Sequence, residues 1–119
     1  MQQRTYVIAE MACSHDGKDT NAHTIIDCAG ASGANAIQFQ IWQKEKLLTA
    51  DHPDMPVLAQ LELSQPKWAA LAEYVRKQHP NLDIVACIYE RDSLKFCESI
   101  NVDAYKLHIA DINNLELLK

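Results

Sequence analysis

Lys106 is the side chain in this sequence that most needs a chemical reason. It stands between Tyr105 and Leu107 in an apolar run of strand length, Ala104 to Ile109. A lysine inside a buried strand is costly unless an anion partners it. It could bind a phosphate or carboxylate, act as a Schiff-base nucleophile, or form an internal ion pair with Glu10 or Asp111. Glu10 closes another apolar run, Tyr6 to Met11, and is either a general acid/base or the other half of such a pair. Gln38 and Gln40 share one face of a third run, Ala36 to Trp42, so they line a mouth or form an amide network. Ser14, His15 and Asp16 follow the first run. His15 is a metal ligand or, as lone histidines more often are, a loop hydrogen bonder. Cys87, Tyr89 and Glu90 end the run Asp83 to Tyr89, with Tyr89 and Trp42 read as packing residues. His108 follows Lys106, and Asp111 and Asn114 lie just beyond.

The elements that must position these groups alternate. Each of the four apolar runs precedes a helical pattern. Ile25, Ile26, Ala29 and Gly30 recur at helical spacing from about Asn21 to Ser32, with Gly33 as a stop. Ser64 reads as an N-cap before Pro66 and Lys67, and Trp68, Leu71, Ala72 and Val75 form the stripe of a helix running to about His79. A short helix is predicted over about Asp92 to Ile100, and another begins after Asn113. The stretch from Gln43 to Ala59, with Pro53 and Pro56, reads as an irregular loop. Strands joined through helices are parallel. In parallel α/β folds the loops at the carboxyl ends of the strands converge on one mouth, where the polar residues named above are found. The pattern alone serves a (β/α) barrel or an open doubly wound sheet. No G-x-G-x-x-G loop follows the first strand, which argues against a dinucleotide site.

The chain has 119 residues, 48% hydrophobic and 23% charged, consistent with one globular unit. A complete (β/α) barrel takes about 250 residues, so the chain is read as one partial domain over residues 1–119, with no second domain. A net charge of −5 and a pI near 5.4 argue against nucleic acid. No run approaches the roughly 18 apolar residues of a membrane span. The opening residues lack the apolar core of a secretory signal, so a cytoplasmic location is expected. The four cysteines, Cys13, Cys28, Cys87 and Cys97, have no metal-site spacing and read as reduced thiols packed as small apolar groups.

Several segments occur together in an order that carries a resemblance. ValIleAlaGlu with SerHisAspGly, then GlyAlaAsnAlaIleGlnPheGln, LeuGluLeuSer and TyrLysLeuHisIleAlaAspIleAsnAsnLeu span nearly the whole chain. The chain resembles the N-terminal half of the sialic acid synthase family, which condenses phosphoenolpyruvate with an N-acetylmannosamine-type sugar. The resemblance implies the first half of a TIM-type (β/α)8 barrel, ending after about four strands. The family pattern Glu-x-x-x-Asn-His-Asn-Gly falls on Glu10, Ser14, His15, Asp16 and Gly17. Its Lys-Phe-Gln falls on Gln38, Phe39 and Gln40, and its Ser-Thr-Pro-Phe on Ala86, Cys87, Ile88 and Tyr89. The strand-four lysine is Lys106, followed by Asp111 and Asn114.

By that resemblance Glu10, Lys106 and Asp111 are the catalytic candidates, and Gln38, Gln40, Cys87 and Asn114 the substrate-binding ones. The family uses a divalent metal, manganese or magnesium, whose histidines come from later strands, so this chain is expected to hold none. Gln38 replaces a lysine and Cys87 a threonine, so weak phosphoenolpyruvate binding and no turnover by these residues alone are expected. Homo-oligomerisation is expected because a four-strand half-barrel leaves two open edges. The competing readings are a Schiff-base aldolase-like barrel using Lys106, which borohydride trapping with pyruvate would reveal, and a non-catalytic assembly module.

Overall fold

The two central strands explain how the rest is arranged. A computed structural model describes residues 5–119; Met1–Arg4, the start of the segment read as lacking a secretory signal, lie outside the described residues. β2 (Ala36–Ile41) and β3 (Asp83–Ile88) are buried along almost their whole length. They pair in parallel with Gln38 opposite Val85 and Gln40 opposite Cys87. β1 (Ile8–Glu10) and β4 (Ala104–Leu107) flank them, also parallel, in the order β1-β2-β3-β4. Because side chains alternate across a strand, this register sorts the residues onto two faces. Ile37, Phe39 and Ile41 share one face with Ile84, Ala86 and Ile88. Glu10, Gln38, Gln40, Val85, Cys87 and Lys106 share the other.

The apolar face carries the helices. α1 (Asp19–Ser32) buries Ala22, Ile26 and Ala29, and α4 (Gln65–Gln78) buries Trp68, Leu71, Ala72 and Val75 against it. Each fully buried large apolar side chain contributes about 1.5–3 kcal/mol. Trp68 joins two parts of the molecule, its ring centroid 5.1 Å from Phe39 and 5.6 Å from His15. α1 ends at Gly33 in the left-handed region (φ 77°), as expected from its sequence. Ser64 takes the extended N-cap conformation before α4, but its hydroxyl makes no capping bond.

Four expectations change. The stretch from Gln43 holds two short helices, α2 (Lys44–Leu47) and α3 (Met55–Leu61), with Pro56 in the first turn of α3, where a missing N–H is harmless. Glu90 is not a mouth residue. Its carboxylate accepts from the Asp92 and Ser93 N–H groups at 2.7 and 3.0 Å and caps α5 (Arg91–Ser99). β4 is exposed throughout rather than buried, since it has one neighbour and the last helix, α6 (Leu115–Leu118), buries only Leu117. Cys87 and Cys97 are buried and Cys13 half-buried, but Cys28 is exposed on α1, so the thiols are not all core groups. Among the described residues no helix is long and apolar enough to cross a membrane.

Gly17 is required by backbone and by space. Its φ is +69°, and a Cβ there would lie 1.9 Å from the Gln60 carbonyl oxygen, where α3 crosses the β1–α1 loop. On the outer surface, Asp27 of α1 ties down α4. Its carboxylate accepts from the Tyr74 hydroxyl at 2.9 Å and from His79 Nε2 at 2.8 Å. The His79 ring lies where a side chain on Gly30 would be. The His79 bond first, then the Tyr74 bond, holds the Asp27 carboxyl below its usual pKa. A depressed acid pKa stabilises the fold above the unfolded value, and that contribution fades as pH falls through the lowered one. The urea midpoint of the native chain is therefore expected to fall between about pH 5 and pH 2.5 more steeply than that of Asp27→Asn. Parallel pH profiles for the two proteins would contradict this.

Candidate active site

Three of the candidate residues meet on one oxygen. Glu10 ends β1, Gln38 lies beside it on β2, and Lys106 projects from β4. Gln38 Nε2 donates to Glu10 Oε1 at 2.8 Å, and Lys106 Nζ reaches the same oxygen at 3.5 Å. Gln38 is 4% exposed, so its amide is fixed by this bond. The side chains of Lys106 and Glu10 are 48% and 47% exposed. Lys106 thus takes the internal partner the sequence allowed, but the strand around it is not the buried one expected. A half-exposed pair of this kind is worth no more than about 1 kcal/mol, and its lysine is accessible to an anionic solute.

The next layer along the same face is Gln40, Cys87 and Lys106, adjacent in register. Burial pushes the Cys87 thiol pKa up, while Tyr89 and Lys106 pull it down less strongly. Cys87 is therefore a neutral thiol, a weak hydrogen-bonding group and no nucleophile. Cys13, from the loop after β1, points its Sγ at Gln40 Oε1 (3.8 Å) and is likewise raised by burial. Burial, and then Cys87, also raises Tyr89 well above the ordinary tyrosine range, so its hydroxyl stays protonated. The Tyr89 ring stands 5.5 Å from that of His108. Tyr89, His108 and Cys13 are thus neighbours of the cluster, though sequence reasoning gave them lesser roles. Strand parity was the available signal. Cys87 and Tyr89 are two apart, as are Lys106 and His108, so each pair shares a face.

The remaining candidates fall elsewhere. Asp111 lies on the 3-10 turn after β4 (Ile109–Asp111), close enough for its charge to raise Cys87. Asn114 is occupied, donating to Asp111 Oδ1 at 3.2 Å and accepting the Leu117 N–H at 3.3 Å as the cap of α6. His15 is the loop hydrogen bonder. It is 1% exposed, its Nδ1 accepts the Gly17 N–H at 3.1 Å, and burial lowers its pKa. Among the described residues no group of three or more His, Cys, Asp or Glu side chains could hold a metal ion. A hollow of about 280 Å³ between β2 and the start of α4 is lined by Trp42, Lys44, Glu62 and Trp68, and shares no residue with the cluster.

Residues 25–119 match the NeuB family. The chain is 28% identical over 125 positions to the spore coat polysaccharide biosynthesis protein SpsE of Bacillus subtilis (strain 168), covering 96% of this chain and 33% of that protein. It is 26% identical over 127 positions to the N-acetylneuraminate-9-phosphate synthase of Drosophila melanogaster, covering 96% and 34%. Among solved structures, it superposes on an N-acetylneuraminic acid (sialic acid) synthetase from Leptospira borgpetersenii serovar Hardjo-bovis, crystallised in complex with citrate. The TM-score is 0.86 at 28% identity, over 98% of this chain and 40% of that one. The chain therefore spans about a third of the length of the relatives it matches. Its four parallel strands correspond to the N-terminal part of a sialic acid synthase barrel, which resolves the choice between barrel and open sheet. The matched segment takes in β2, β3, β4 and the helices around them, four-fifths of the sequence, and on that ground the chain belongs to the NeuB family.

Proposed function

We propose that this chain forms the β1–β4 wall of an enzyme that condenses phosphoenolpyruvate with an N-acetylmannosamine-type sugar to give a nonulosonic acid. The observation that carries this reading is the convergence of Glu10, Gln38 and Lys106 on one face of β1, β2 and β4. Lys106 would receive the phosphate or carboxylate of phosphoenolpyruvate, exchanging part of its contact with Glu10 for the ligand. Gln40 would add a hydrogen bond, and Cys87 a weaker one. Glu10, freed from Lys106 but still held by Gln38, would orient the intermediate or move a proton. Asp111 would act through its charge near Cys87. The divalent metal implied by the family finds no ligand set among the described residues, and no step is assigned to it. The 119 residues alone would bind without turnover. Four unpaired cysteines support a cytoplasmic setting.

Calorimetric titration of the chain with phosphoenolpyruvate tests the assignment. With one cation at the site, already partnered, the dissociation constant is expected near about 1 mM. Lys106→Ala is expected to weaken it at least about tenfold, the loss of one charge-assisted hydrogen bond. Micromolar affinity that survives Lys106→Ala would overturn the placement of the anion.

A further inference from the structure

His108 takes no part in the reading above, yet it stands on the same face as the cluster. It lies two residues after Lys106, and its backbone is still extended (φ −73°, ψ 144°), so the alternation of β4 carries through it. Cys87 is paired with Lys106 in the register, and Tyr89 lies two residues past Cys87. The Tyr89 and His108 rings, 5.5 Å apart and tilted by 34°, form the next layer toward the carboxyl ends of the strands.

The imidazole is held in one tautomer. Its Nδ1 accepts the backbone N–H of Ala110 at 3.3 Å, within the 3-10 turn Ile109–Asp111. A nitrogen that accepts carries no proton, so in the neutral ring the proton sits on Nε2. The two ring nitrogens point in widely different directions. With Nδ1 turned to the backbone, the Nε2–H is aimed away from it. The turn therefore uses one nitrogen and leaves the other as a donor of fixed position. Residues two apart on a strand are separated by about 6.6 Å. The long Lys106 side chain and the His108 ring can thus serve one small ligand, the first with charge and the second with a directed N–H. Phosphoenolpyruvate has a carboxylate and a phosphate, and so offers acceptors to both.

We propose that His108 is a further binding residue for phosphoenolpyruvate, its Nε2–H donating to an anionic oxygen of the ligand beside Lys106. The inference rests on the placement of that anion at Lys106. It adds a second donor to a site whose lysine is shared with Glu10.

Two amide variants separate this role from the capping of the turn. In His108→Asn the side-chain oxygen can still accept the Ala110 N–H, but nothing reaches as far as Nε2. In His108→Gln the longer amide brings an N–H close to the Nε2 position. Chemical-shift titration with phosphoenolpyruvate is expected to show the dissociation constant raised about tenfold in His108→Asn and kept within about threefold in His108→Gln, for the loss or retention of one hydrogen bond to a charged group. A purely structural role predicts the reverse order, with affinity and thermal midpoint kept in His108→Asn and lowered in His108→Gln, and that result would overturn the proposal. Long-range proton–nitrogen spectra of the isotope-labelled native chain provide a second readout. They are expected to show the proton on Nε2 and a ligand-induced shift larger there than at Nδ1. A proton on Nδ1 overturns the proposal whatever the variants do. Lys106→Ala, titrated alongside, tells the two readings apart. Affinity lost in Lys106→Ala but unchanged in His108→Asn removes His108 alone from the site. Binding indifferent to Lys106→Ala removes the anion from Lys106, and this inference with it.

Discussion

Trp68→Ala is expected to lower the unfolding free energy by about 3–5 kcal/mol, the range for deleting a large buried aromatic side chain. Against the 5–15 kcal/mol of an ordinary domain, that is from about a fifth to all of the total. Trp68 is 2% exposed and touches Phe39 of β2 and the edge of His15 in the β1–α1 loop. Its removal opens a cavity between helix and sheet and uncovers a second buried group. His15 is kept neutral by burial, its pKa lowered in the folded state. The unfolded chain therefore binds more protons below the ordinary histidine pKa, and the native fold loses stability as pH falls through about 6.5. With Trp68 gone, water reaches the imidazole and that slope flattens. Urea melts of native, Trp68→Ala and Trp68→Phe proteins at about pH 5.5 and 7.5 measure both effects, with Trp68→Phe falling in between. A loss under about 1 kcal/mol in Trp68→Ala, or an undiminished pH slope, would contradict this account of the core.

Gln38→Lys is expected to tighten phosphoenolpyruvate binding about ten- to a hundred-fold, or about 1.5–3 kcal/mol for one restored charge-assisted hydrogen bond. The new ammonium would take the place of the amide nitrogen that now lies 2.8 Å from Glu10 Oε1. Glu10 can balance only one of the two lysines that would then face it, which leaves a net positive charge for the anion. The buried position makes the variant less stable than the native chain, since one more charge is desolvated. Gln38→Met, matched in length but uncharged, separates the two effects: it removes the bond to Glu10 and adds no affinity. Calorimetry of both variants against phosphoenolpyruvate is the measurement. If Gln38→Lys binds no better than the native chain, Gln38 does not stand at the anion site.

Much of the fold was legible because burial and period coincide. β2 shows its apolar alternation and β3 a continuous apolar run directly, and the cap at Ser64 with Pro66 and the end read at about His79 bound α4 within one residue at each end. α2 and α3 were not legible. Four and seven residues are too few for a 3.6-residue period to stand out, and Pro53 and Pro56 mimic a loop. Glu90 was misplaced for a related reason. A carboxylate at the end of a strand is also a carboxylate at the start of the next helix, and only the backbone direction there shows that it caps α5.

The amino-acid sequence alone determined which residues could do chemistry and on which strands they lie. Residue type and parity within one strand are local properties, so Gln38 and Gln40 could be placed on one face, and Glu10, Cys87 and Lys106 on their strands, without coordinates; that all five share a face came from the register. Parallel pairing followed as well, since strands separated by helices have no other way to join. What the tertiary structure decided is anything that depends on distance between residues far apart in the chain. Glu10 and Lys106 are 96 residues apart, and only the assembly of β1 to β4 into one sheet, with both side chains on one face, brings them together. Exposure was decided there too. An apolar run such as Ala104 to Ile109 looks buried in sequence, but a strand is buried only if neighbours cover it. β4 has one strand beside it and a four-residue helix nearby, so Lys106 is half in water.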